Sequence, residues 1–194
     1  MMSNAHAINE TLHPKLGYDL FKDFAPVTQL CTFSLALVVH PSLPANSLGE
    51  LIALAKSRPG KLAYASSGLG SIYHLPMELL KSMAGVDMLH VPYKSSATAR
   101  TDILSGQVQL MFDGLATMQP FIKANRVRAL GISSARRSEA APELPTIAEA
   151  ALPGFEGDGW LGFAAPAGTP QAIVNRMQAE IATILARPQV RASY

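Results

Sequence analysis

From about Val27 onward, short β-branched or apolar runs alternate with stretches whose apolar residues recur at spacings of three and four. That rhythm is what repeated βαβ units produce, and it predicts an α/β protein built on a largely parallel sheet. Strands are predicted at 34–40, closed by Pro41, at 62–65, in "MLHVPY" ending at Pro92, at 108–112 and at 126–133. Between them, "SLGE" at 47–50 forms a capping box that opens a helix ending near "SRPG". Ile72, Leu75, Leu79 and Met83 give the next helix one apolar face, with Gly85 as its C-cap and Pro76 placing its start near Tyr73 or His74. A short helix follows at 95–104, and Thr117 is placed to cap another with Pro120 in its first turn.

After residue 133 the pattern changes. "SSARRSEAAPELP" is a polar connection, and "TIAE" at 146–149 is a second capping box. Then "WLGFAAP" at 160–166 reads as a strand. The run from Thr169, as cap, through Pro170, at the first helical position, reads as a helix with Val174, Met177, Ile181 and Leu185 as its apolar stripe.

A chain of 194 residues with 48% hydrophobic and 15% charged residues has enough apolar material for a folded core, in one large domain or two small ones. The net charge of +2, without a basic stripe interleaved with aromatics, argues against nucleic acid as a partner. Apolar stretches such as "LALVV" fall far short of the roughly 20 residues of a membrane helix. The single Cys31 excludes an internal disulfide and a cysteine-based metal cluster. The first residues, "MMSNAHAINETLHPKL", lack the basic and apolar regions of a secretion signal, so taken at face value the chain stays in the cytoplasm.

The stretch "YASSGLGSIYHLPMELL", residues 64–80, combines a strand end, a loop of small residues and a helix start. Backbone amides and the positive end of the helix dipole then converge on one spot, which suits an anion. Ser66, Ser67 and Ser71 add hydroxyls, and Gly68 and Gly70 allow close approach to the backbone. An ordinary capped strand-to-helix turn fits the same residues. Tyr73 stands where a dinucleotide fingerprint needs glycine, and neither a phosphate loop nor a nucleophile elbow is present.

His74 and Glu78 stand four apart, but no further metal ligand follows at a recognisable spacing, so His74 reads as a polar contact to loop or ligand. His90 reads as a strand residue satisfied by a neighbour. Tyr93 sits at a strand end with its hydroxyl free. Asp113 lies beyond a carboxyl strand end, placed to accept from a ligand or to cap the next turn. Three strand ends, near Ser66, Tyr93 and Asp113, describe a pocket without an activated nucleophile or acid–base pair.

The segments "DFAPVTQL", "SLGELIALAKSRPGKLAYASSGLGS", "GVDMLHVPYK", "GQVQLMFD", "RVRALGISSARR", "ELPTIAEAALPGFE" and "GWLGFAAPAGTP" closely resemble, in order, the substrate-binding proteins of tripartite tricarboxylate transporters, the Bug family. The resemblance covers nearly the whole chain. It implies a two-lobed clamshell like the type II periplasmic binding proteins, which captures a small organic acid and delivers it to membrane permease subunits, without catalysis, cofactor or metal. It implies a periplasmic location despite the missing signal peptide. Carried over by position, ligand contacts fall on Ser66, Ser67, Gly70, Ser71, His74, Tyr93 and Asp113, and "NAHAIN" adds Asn4 and His6.

Family members usually carry Gly after "PYK" and often Pro three residues later, where this chain has Ser95 and Thr98. They also begin upstream and continue beyond the last residue here. The resemblance therefore implies a partial first lobe in 1–26, a complete second lobe in 27–152 and a truncated return to the first lobe in 153–194. A shortened lobe is expected to expose strand edges and apolar surface, and with them self-association. The competing readings are an enzyme acting on an acyl or phosphoryl substrate, a ligand-sensing module and a gene fragment without function.

Overall fold

The computed structural model describes residues 1–13 and 15–191. In chain order the elements are β1 (Met2–Ser3), α1 (Asn4–Leu12), β2 (Phe24–Phe33), β3 (Leu35–Val39), α2 (Leu48–Ser57), β4 (Ala63–Ser66), α3 (Leu75–Ala84), β5 (Leu89–Pro92), α4 (Ser96–Leu104), β6 (Leu110–Gly114), α5 (Leu115–Lys123), β7 (Arg128–Ile132), α6 (Ile147–Ala150), β8 (Gly159–Pro166), α7 (Gln171–Leu185) and α8 (Pro188–Arg191). They fall into two compact units, 33–159 and 1–32 together with the segment from Trp160 onward.

The unit 33–159 holds a five-stranded sheet in the order β5-β4-β6-β3-β7. β4 runs parallel to β5 and to β6, but β3 runs antiparallel to both of its neighbours. The sheet is therefore mixed rather than largely parallel. A continuous apolar run marks a strand buried on both faces, and here helices bury an antiparallel strand as fully as parallel ones. Every residue of β3 is inaccessible to solvent. Leu35, Leu37 and Val39 pack on one side with Leu48 and Leu51 of α2, Met77 and Leu80 of α3, and Phe112. Ala36 and Val38 pack on the other with Ala99 and Ile103 of α4, Leu115 and Met118 of α5, and Met111. Burying one such leucine or valine stabilises the fold by about 1.5–3 kcal/mol.

The buried face of α3 is Pro76, Met77, Leu80 and Ala84, while the expected Leu79 and Met83 are exposed. Both sets recur at helical spacing, so periodicity alone had two solutions. Ser47, Ser95 and Thr146 each accept the amide of the residue three positions on, as helix caps should. The capping box at Thr146 is reciprocal, whereas Glu50 reaches past Ser47 to the Asn46 amide at 2.7 Å. Thr117 does not cap α5. The Leu115 amide bonds to the Ser34 carbonyl, the helix starts at that residue, and Pro120 lies inside it.

In the other unit the sheet order is β1-β8-β2, with Met2 opposite Gly162. α1 carried no expectation from the sequence. Pro170 is the N-cap of α7 rather than its first helical residue, because its ψ of 133° is extended and the Thr169 hydroxyl turns back to the Pro166 carbonyl. Val27, Ala165 and Val174 form the buried cluster, with Ile181 packed against it. Met177, from the expected stripe, is 40% exposed, as are Ile173 (51%) and Ile184 (44%) on the same helix.

Candidate functional site

β4 delivers Ser66 to the sheet edge, and the chain then turns through Gly68 (φ 118°) and Gly70 (φ 71°), backbone angles that favour glycine. Ser66 is fully buried and committed to the loop itself. Its Oγ accepts the Gly68 amide at 3.1 Å and lies 2.6 Å from His90 Nε2, while its carbonyl accepts the Tyr93 amide at 2.9 Å. Ser67 is half-buried at the next position. The Gly70 amide donates to His74 Nδ1 at 3.2 Å, so the expected loop contact of His74 is made.

Ser71 opens the helical turn that runs into α3: its carbonyl accepts the amides of His74 at 2.9 Å and Leu75 at 3.2 Å. The Met77 and Glu78 amides bond in turn to the His74 carbonyl, which moves the effective head of the helix back to Ser71. A serine there is placed to cap, as Ser47, Ser95 and Thr146 do. Ser71 Oγ does not. Among the described residues it is the one buried side-chain polar atom without a hydrogen-bond partner. Leaving a hydroxyl in that condition costs about 1–3 kcal/mol.

Beneath the loop, three rings pack together: Tyr64 stacks on His90 with centroids 4.8 Å apart, and His74 lies tilted by 33° against His90 at 4.1 Å. The Tyr64 hydroxyl donates to Glu78 Oε1, which also receives Lys81 Nζ at 2.7 Å, so Glu78 is engaged by these two groups rather than shared with His74 over a metal. Burial would raise the Glu78 carboxyl, but the bonds from Lys81 and Tyr64 bring it below its ordinary range. Burial pushes both imidazoles down, and His74 depresses His90 further.

Tyr93 and Asp113 do not present free groups. Asp102, on the second turn of α4, takes the Tyr93 hydroxyl at 2.7 Å, and burial together with this carboxylate pushes the phenol up to about 12. Asp113 Oδ2 receives Arg100 Nη2 at 2.7 Å and Nε at 2.9 Å, and Oδ1 receives the Gly114 amide at 2.8 Å. Its side chain is 1% exposed and that of Arg100 19%. Burial raises the Asp113 carboxyl even against these partners. Tyr73 lies within the field of both charges, its phenol raised by burial first and by Asp113 second. Arg100 and Tyr73 carried no expectation as site residues, because thirteen positions separate Arg100 from its carboxylate and no spacing rule connects them.

Asn4 and His6 belong to the other unit. Asn4 Oδ1 accepts the Trp160 amide at 2.7 Å, tying α1 to β8, and His6 Nδ1 accepts the Ser3 amide at 3.2 Å in a capping box. His6 also borders a cavity of about 470 Å³ lined by Phe24, Val27, Trp160 and Phe163.

The strand ends thus bring together a glycine and serine loop, one buried hydroxyl without a partner among the described residues, and carboxylates that are already bonded. The chain matches the Tripartite tricarboxylate transporter family receptor over residues 1–194 and belongs to that family. It is 42% identical over 189 residues to the UPF0065 protein in the tcbD-tcbE intergenic region of Pseudomonas sp. (strain P51), covering 97% of this chain and 56% of that protein. Among solved structures, R. palustris Rpa4515 with adipate superposes with a TM-score of 0.89 at 38% identity, over 99% of this chain and 64% of that one. The periplasmic binding protein BugD gives a TM-score of 0.87 at 30% identity, over 98% and 64%. The fold is thus the α/β fold of the family's periplasmic binding proteins, and the chain spans about half the length of the curated relatives it matches.

Proposed function

We propose that the chain acts as a solute receptor: it takes up a small organic carboxylate at the β4–α3 loop and hands it to membrane permease subunits from the periplasmic side. The single observation that carries this reading is Ser71 Oγ, a buried hydroxyl without a partner among the described residues, at the head of a helical turn. A carboxylate oxygen there accepts the hydroxyl proton and sits at the positive end of the turn's dipole. Ser67 and Gly70 line the approach. Ser66, His74, Tyr93 and Asp113 hold the wall, and Asn4 and His6 organise the other unit's sheet. Membership in a receptor family and the adipate held by a 38% identical relative support a di- or tricarboxylate as the ligand class.

Binding without turnover fits the same groups. Asp113 is paired with Arg100, and His74 Nδ1 accepts the Gly70 amide. Titration calorimetry with a panel of C4 to C8 dicarboxylates and tricarboxylates, with the matching diamides as controls, tests the reading. Heat from at least one acid and from none of the amides is expected. Silence across the whole panel would sink it.

A further inference from the structure

We infer that His74 is a proton-sensitive positioning residue: as a neutral imidazole it holds Gly70 and the loop in the ligand-ready shape, and its protonation lets that loop go. The inference rests on the proposed carboxylate site for its consequence, but the latch itself stands on geometry.

The Gly70 amide can only donate, so His74 Nδ1 must offer a lone pair, and the ring proton of the neutral form then sits on Nε2. A second proton has nowhere to go but Nδ1. There it would point at the Gly70 N–H, donor against donor. The bond that fixes Gly70 is lost, and the loop that presents Ser71 is left to the bond from the Ser71 amide to the Gly68 carbonyl at 3.2 Å.

The surroundings of His74 resist that second proton until the pH falls. Its side of β4 carries Tyr64, stacked at 6.2 Å, and its side of β5 carries His90, at 4.1 Å. α3 itself adds Glu78 and Lys81, joined at 2.7 Å. Glu78 favours the cation, but its charge is shared with Lys81 and the Tyr64 hydroxyl. His74 is only 7% exposed, and burial, opposed by Glu78 and aided by Lys81, lowers its proton affinity. Two rings at 4.1 Å also cannot both become cations cheaply, so His90 stays neutral while His74 is charged. A histidine depressed in this way keeps the latch intact above the ordinary range near pH ~6.5 and loses it as pH falls through the lowered value.

The test needs no ligand. Amide hydrogen exchange of Gly70 is followed by NMR from about pH 7.5 to about pH 5, corrected for intrinsic exchange, alongside the ring resonances of His74. Protection at Gly70 should fall about tenfold, a change of ~1.4 kcal/mol, with the same midpoint as the His74 ring. His74→Asn, whose Oδ1 accepts the amide but does not titrate, should show flat protection. Constant Gly70 protection in the unaltered chain, or a fall unrelated to the His74 midpoint, overturns the latch, whether or not the variant folds.

A second arm measures adipate binding at the two ends of that range. The ligand's own ionisation weakens both proteins alike, so the unaltered chain should lose about tenfold more affinity than His74→Asn. Equal losses, or tighter binding in acid, contradict the inference. If no acid of the panel binds at any pH, the carboxylate reading fails while the exchange result still decides the latch.

Discussion

The unit 33–159 closes both faces of its sheet, whereas the unit of residues 1–32 with the segment from Trp160 onward buries little more than Val27, Ala165 and Val174. What each leaves unsatisfied differs in kind. The second-named unit presents apolar side chains to water: Ile173, Met177 and Ile184 on α7 and Phe21, 85% exposed, before β2. The first also exposes Leu69, Leu79, Met83 and Leu89, but among the described residues it alone holds a buried polar side-chain atom without a partner, Ser71 Oγ. Exposed apolar area asks for any apolar cover, while a buried unpaired hydroxyl asks for one acceptor at one place. Under the proposed function, the contrast assigns specific recognition to the β4–α3 loop and non-specific stickiness to α7.

Core truncation should show the contrast most strongly. Phe112→Ala, at the centre of β6 and fully buried, is expected to cost about 3–5 kcal/mol in urea unfolding. The corresponding change Ile173→Ala should stay within about 0.5 kcal/mol. Equal costs would mean that α7 is covered after all.

Arg100 and Asp113 come next, and they are not equivalent. Arg100→Ala leaves a buried carboxylate without its cation and should cost about 3 kcal/mol. Asp113→Asn should cost less than about 1 kcal/mol, because Arg100 is partly exposed and regains water. Since burial raises the Asp113 carboxyl, the stability linked to it is complete below the ordinary carboxylate range and is lost as pH rises through the raised value. Asp113→Asn should therefore remove part of the stability difference between about pH 4 and about pH 7, and an unchanged difference would contradict the assignment. Ser47→Ala should cost about 1 kcal/mol as a lost cap, well below Arg100→Ala. On α7, the pair Ile173→Ser with Met177→Ser should leave stability nearly unchanged and lower the apparent mass in light scattering. Monodisperse monomer before the substitutions would refute the stickiness of that face.

Much of this was legible in the sequence where one physical cause acts alone. β3 reads as a strand because both of its faces are buried, and Ser47 and Thr146 read as caps because the helix head needs their oxygens. Its direction was not legible, since an antiparallel strand covered on both sides carries the same apolar run. The buried face of α3 was misassigned between two apolar sets of equal period. At the site, the loop, its glycines and the His74 contact follow from local spacing. The Arg100–Asp113 pair, the bond from Tyr93 to Asp102 and the idle hydroxyl of Ser71 depend on how separate elements meet, and no periodicity records that.

Whether Ser71 is kept for a ligand or for the fold is decided by Ser71→Ala. Stability and binding are measured on the same protein, by urea unfolding and by calorimetry with the dicarboxylate that the chain binds most tightly. A serine kept for a ligand leaves the unfolding free energy of the variant unchanged or raised by up to about 1 kcal/mol, with affinity reduced at least about tenfold. A loss of stability like that of Ser47→Ala with affinity intact would show Ser71 to be one more helix cap, and would contradict a ligand role.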